Sequence, residues 1–165
     1  MDARAFRHLY AYHFSENHAI LRDAAALTAE QWTQPPAYSI GAVRDQIVHL
    51  MWVDDTWFSG LHGAPLPDPF APADFPDVAA VRAKWEIIER QQHDFLAALR
   101  DEMLWQKPFA DGEDKDLITW QVLLQVLNHG TDHRAQILRQ LHDFGVKTVS
   151  QDYIFFAYEN PVPQS

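Results

Sequence analysis

Five of the chain's ten prolines fall within residues 63–76, at Pro65, Pro67, Pro69, Pro72 and Pro76. No helix or central strand runs through such a spacing, because each proline lacks the N–H that a regular element needs and its ring obstructs the preceding helical turn. The stretch must be a loop, and it is too long for a tight antiparallel turn. A connection of this length suits a crossover along a set of packed helices. It divides the chain into two parts, and both read as helical.

Residues 2–27 carry Phe6, Leu9, Tyr10, Phe14, Ile20, Leu21, Ala24 and Leu27 at helical spacing. Placing successive residues 100° apart puts His13 and Asn17 in the middle of that stripe. Thr28, Pro35 and Pro36 break the pattern, with a single turn expected at residues 29–32. Ser39 is the expected N-cap of a second long helix over residues 40–61. Val43, Ile47, Leu50, Met51, Val53, Trp57, Phe58 and Leu61 form its apolar arc, His49 lies at the edge, and Asp54 falls inside. Asp77 caps a third helix that runs to about Trp105, and residues 107–115 form a polar loop. A fourth helix runs from Leu117 or Thr119 to Phe144, where Gly145 stops it. Its apolar arc is wide, so more than one neighbour should touch it. His129 and His133 sit at one edge of that arc and Arg134 in its middle. An aromatic segment, residues 151–159, reads as a short C-terminal helix. With no strand alternation and no internal repeat, the expectation is a single all-α domain over residues 1–165. It has four long helices, one long crossover and a short closing helix.

Charge narrows the partners. The 165-residue chain has a formal net charge of -10. It lacks the basic patch that nucleic-acid binding requires. No apolar run approaches the roughly 20 residues that span a bilayer, and the first residues lack the apolar centre of a signal peptide. A cytoplasmic protein with a small-molecule partner is expected, without nucleic acid or membrane. There is no cysteine. Any metal must therefore be held by histidine and carboxylate, and any thiol chemistry must use an external thiol.

The stretch VLNHGTDHRA, residues 126–135, concentrates the chemistry. Two histidines four apart on a helix project from one side, about 6 Å apart along the axis. Neutral imidazole is the commonest metal ligand. The bland reading is two core-edge histidines hydrogen-bonded to carbonyls or carboxylates, as expected now and then in a chain with nine histidines. His49 at the matching edge of another helix offers a third ligand, and three neutral imidazoles leave a coordination position open, as catalytic sites do. His13 and Asn17 are candidates to line the same pocket, with His13 a less favoured fourth ligand. Asp132 is a candidate acceptor for a ligand N–H, and Gln125 and Gln136 for the site entrance. Asp54 and Arg134 are charges on apolar arcs, so each needs a partner. They are expected to pair with each other or through a bridging polar group. Neither a phosphate-binding glycine pattern nor a GxSxG elbow is present, and Gly130, Thr131 and Asp132 fill the place where an HExxH protease has its glutamate. Asp132 and His13 are the candidates for a general base.

The histidine of HLMWVDDTWFSGLHG, followed about 80 residues later by NHGTDHRAQI, resembles the DinB-like (YfiT-type) metalloenzyme superfamily. The proline-rich crossover and the aromatic closing segment are similar too, so the likeness covers nearly the whole chain. The resemblance implies a four-helix bundle with up-down-down-up connection, frequently a homodimer. It also implies a divalent metal, nickel or zinc, on His49, His129 and His133. Members with known activity use low-molecular-weight thiols in S-transfer or isomerisation, which makes an enzyme of that kind the expected function. A metal-dependent hydrolase using bound water and a non-enzymatic metal-stabilised binding protein are the alternatives.

Overall fold

The computed structural model describes residues 2–39 and 41–162, and these hold six α-helices and no strand. The first, α1 (Ala3–Ala24), starts where the Asp2 carboxylate accepts the N–H of Ala5 at 2.7 Å. It stops three residues short of Leu27, because Ala26 and Leu27 turn back onto the carbonyls of Asp23 and Ala24. The short α2 (Ala29–Thr33) opens on a capping box in which Thr28 and Gln31 satisfy each other's backbone N–H.

The second long helix, α3 (Val43–Leu61), begins later than expected, and Ser39 is not its cap. Ala42 holds the cap position, and the Asp45 carboxylate reaches back to its N–H at 3.0 Å. Gly41 sits at φ +85°, a left-handed conformation that suits glycine and that turns the chain into the helix. Ile40, the expected first residue of this helix, lies outside the described residues.

The crossover contains one 3₁₀ turn at Pro72–Asp74 and leads into α4 (Val78–Ala98), capped by Asp77 through Ala80 N–H at 2.9 Å. The α4 helix ends well before Trp105. Leu99 is extended, and Arg7 of α1 donates to the carbonyls of Leu96 and Leu99 at 3.2 and 3.0 Å, meeting the acceptors that a helix end leaves over. A 3₁₀ turn at Asp101–Trp105 follows, and Asp101 accepts the Ala3 N–H at 2.8 Å. The longest helix, α5 (Thr119–Asp143), finishes at Gly145, φ +78°, with Val146 N–H on Leu141 O at 3.0 Å. Last is α6 (Tyr153–Glu159), whose Tyr153 and Phe156 stack on His8 and Tyr12 of α1.

The four long helices pack in a ring, with α1 and α3 each against both α4 and α5. Their core is not continuous. One apolar cluster gathers Ile20, Ile47, Met51, Ile88 and Ile137, and the other Phe14, Phe58, Phe95, Val126 and Leu127. Between them every long helix contributes buried polar residues: His13 and Asn17 from α1, Asp54 from α3, Gln92 from α4, His133 and Arg134 from α5. His13, Asp54 and Gln92 are 0 % exposed and Arg134 1 %. The three-histidine group lies at one side of this polar layer. No described helix is long and apolar enough to cross a membrane.

Candidate metal centre

The edge of α3 and the edge of α5 meet where His49, His129 and His133 converge. One ring nitrogen from each lies within 4.8 Å of the others. His49 Nε2 and His129 Nε2 are 3.2 Å apart, and the ring centroids are 4.3–5.1 Å apart. His49 and His129 are half-buried and His133 is buried. The α3–α5 contact puts them there: Gln46 meets His133 and Gln140 meets Gly41, so residues advance along α3 as they recede along α5.

Burial holds all three imidazoles below the ordinary histidine value. For His129 burial is the main cause, neighbouring His133 and His49 add to it, and the group falls to about 4. For His49 burial alone acts, and for His133 burial is joined by the proximity of His49. All three are therefore neutral at pH 7 and carry a lone pair.

The donor set fits a divalent cation. Two imidazole Nε2 atoms facing each other at 3.2 Å leave a lone pair against a lone pair unless a proton or a cation lies between. Four ligands placed tetrahedrally at the zinc–imidazole distance of 2.0–2.1 Å would be about 3.3 Å from one another. The His49–His129 separation is close to that edge, and the His133 nitrogen lies within 4.8 Å of both. His133 Nδ1–H donates to Gln46 Oε1, which leaves its Nε2 lone pair for the site. The Nδ1 of His129 is buried with no hydrogen-bond partner among the described residues.

His13 is not a member of this group. Arg134 only donates, so its NH1 contact at 3.1 Å makes His13 Nδ1 an acceptor. His13 Nε2 lies between an acceptor, Asp54 Oδ2 at 3.3 Å, and a donor, Asn17 Nδ2 at 3.0 Å. Asp54 and Arg134 form no direct ion pair; His13 stands between them and ties α3 to α5 through α1. Arg134 also donates to Asn17 Oδ1 at 2.9 Å, to Thr131 Oγ1 at 3.3 Å and to Gln151 Oε1 at 3.2 Å. Burial lowers its pKa, and the nearby Tyr12, Asp54 and Glu16 pull it back up. Asn17 lines a groove of about 680 Å³ between α1 and α4, together with His18, Trp85, Glu89 and His93, none of which belongs to the metal centre.

Asp132 is exposed and does not reach a ligand N–H. Its carboxylate accepts from Gln136 Nε2 at 3.2 Å. Gln125 is exposed, whereas Gln136 is half-buried and accepts from Ser39 and Gln46. Trp52 stands beside His49, with ring centroids 6.0 Å apart, and its Nε1–H donates to Pro67 O, holding the crossover near the site.

Sequence reasoning missed Gln46 and Gly130. Gln46 precedes His49 by three residues, one turn earlier on the same face, and that spacing was the available signal. Gly130 lies in mid-helix, where glycine is unfavourable and so calls for a reason. A Cβ there would sit 2.6 Å from His13 Cε1 and 2.8 Å from Arg134 NH1. The missing side chain makes room for the His13–Arg134 contact.

The family model described as DinB family matches residues 1–164 of the chain. No curated protein matches it.

Proposed function

Since the chain belongs to the DinB family, a metal-binding superfamily, we propose that it is a metal-dependent enzyme acting on a small electrophile with an external low-molecular-weight thiol. His49, His129 and His133 hold the ion, nickel or zinc, and the reaction is an S-transfer or isomerisation. The observation that carries this reading is the convergence of three neutral imidazoles on one point at the α3–α5 edge. Bound there, a divalent ion lowers the pKa of a coordinated thiol or water and so supplies a nucleophile at neutral pH.

The chain's own residues prepare that role. Three uncharged ligands leave the charge of an ion uncompensated, which favours an anionic fourth partner. With no cysteine in the chain, the thiol must come from solution. Gln46 orients His133, and the Arg134–His13–Asp54 relay fixes α5 against α3 beneath the site. We extend the proposal to the assembly: an up-down-down-up four-helix bundle that forms a homodimer. The helix ring and the α3–α5 register support the bundle.

Metal analysis tests the premise. The purified protein is expected to bind close to one equivalent of nickel or zinc, and His49→Ala, His129→Ala and His133→Ala each to lose it. A wild-type protein that binds no ion sinks the proposal. Given binding, the cobalt-substituted protein is titrated with a thiol. A change in its absorption supports thiol activation, whereas no change together with ester cleavage moves the assignment to a hydrolase.

A further inference from the structure

Histidine ligands differ in what holds them. Gln46 is 1 % exposed and lies across the α3–α5 interface from His133. An amide can face an imidazole with either its oxygen or its nitrogen, so something must decide which. Here the decision traces to a carboxylate. Asp132 only accepts, so Gln136 turns its NH2 toward it at 3.2 Å. The Gln136 oxygen then faces inward, where it accepts from Gln46 Nε2 at 3.4 Å and from Ser39 Oγ at 3.4 Å. Gln46 Nε2 also donates to Ser39 Oγ at 2.8 Å. With its NH2 committed on that side, Gln46 presents Oε1 to His133, and Nδ1 of His133 must carry the proton.

We propose that Gln46 is the positioning residue of the centre, fixing His133 as the Nδ1–H tautomer with its Nε2 lone pair turned to the site, and that Asp132 sets the direction of this chain through Gln136. The arrangement gives the exposed Asp132 a role three hydrogen bonds from the imidazole, which adjacency in sequence does not suggest. It also makes the two α5 histidines unequal. The outer nitrogen of His133 is held by an oriented amide, and that of His129 has no such partner among the described residues. The effect on affinity rests on the metal reading above; the tautomer is a property of the metal-free protein.

The experiment pairs ¹⁵N-histidine NMR of the metal-free full chain with titration by zinc alone, for wild type, Gln46→Leu, Gln46→Glu and Asp132→Asn. Wild type and Gln46→Glu are expected to show His133 protonated on Nδ1, since a carboxylate oxygen replaces the amide oxygen. Gln46→Leu is expected to admit the other tautomer and to bind zinc about 10–100-fold more weakly, as loss of a partner behind a metal ligand does. Asp132→Asn, on the exposed face where folding is not at stake, is expected to shift both readings the same way by less. Were Gln46→Leu to fail to fold, Gln46→Glu and Asp132→Asn carry the test. A His133 protonated on Nε2 in wild type or in Gln46→Glu, or an unchanged tautomer and zinc affinity in Gln46→Leu and Asp132→Asn, overturns the proposal. A wild type that shows the Nδ1–H form but binds no zinc supports the role of Gln46 and removes the metal reading instead.

Discussion

Gly130 shows how little room surrounds the buried relay. Replacing it with alanine improves helix propensity by about 1 kcal/mol. The added Cβ, however, would lie within 3 Å of two atoms of His13 and one of Arg134. Overpacking typically costs about 1–3 kcal/mol, and these neighbours are themselves buried and hydrogen-bonded, so the net change should be destabilising. Urea denaturation of Gly130→Ala is expected to show a lower midpoint, and an unchanged or higher midpoint would show that His13 and Arg134 can move aside.

A second residue-scale expectation concerns acid. Well above pH 6.5 His129 is neutral whether the chain is folded or not. As pH falls from there toward about 4, the unfolded chain takes up a proton that the folded site refuses. The unfolded state then binds more protons, so stability falls with pH across that window. His49 and His133, lowered in the same direction, add to the effect. Thermal melts of the metal-free protein should therefore drop between pH 6.5 and 4, and His129→Ala should flatten part of the drop.

The residues easiest to find in the sequence are the histidines, because a pair four apart on a helix edge has a geometric meaning from its spacing alone. Gln46 is hard to find, because a glutamine on a helix is ordinarily a solvated residue and its partner lies 87 positions away.

Among the elements, the bodies of the helices are legible in the sequence, as are the Asp77 cap of α4 and the Gly145 stop of α5, but other ends are not. Apolar spacing specifies where α1, α3, α4 and α5 run. The end of α4 depends on a partner that only the folded chain supplies, Arg7 on its last carbonyls, whereas the start of α3 is set by a local cap, Asp45 on the Ala42 N–H, that competes with Ser39 for the role in the sequence. Arg7→Gln is accordingly expected to cost about 1.5–3 kcal/mol, the range for hydrogen bonds to a charged group, despite removing no core side chain. Calorimetry checks it, and a melting temperature equal to wild type would mean that water serves those carbonyls as well as Arg7 does. The link among α3, α1 and α5 is open to the same approach. Arg134→Gln removes the buried cation and should destabilise by about 3 kcal/mol or more. Asp54→Asn keeps an oxygen for His13 and should cost less. If both melt like wild type, the relay does not hold these helices together.

For the molecule as a whole, ion binding and folding should be linked. The three ligands come from two helices, and only the folded chain brings them together. An ion present at a hundredfold excess over its dissociation constant then stabilises by about 2.7 kcal/mol. For a chain of this size that is a rise of roughly 5–10 °C in melting temperature. His129→Ala should show no rise, and an equal rise in that variant would place the ion elsewhere.

The polar layer between the two apolar clusters has one more consequence. Helices with uniform oily stripes can slide along one another at little cost, since one leucine is much like the next. In this chain each long helix carries a polar mark at the height between the two apolar clusters. A slip of one turn, about 5.4 Å, would push His13, Asp54 or Arg134 into hydrocarbon and pull the marks out of line. The layer thus acts as a vernier for the axial alignment of four helices, and the convergence of three histidines from separate parts of the chain depends on that alignment.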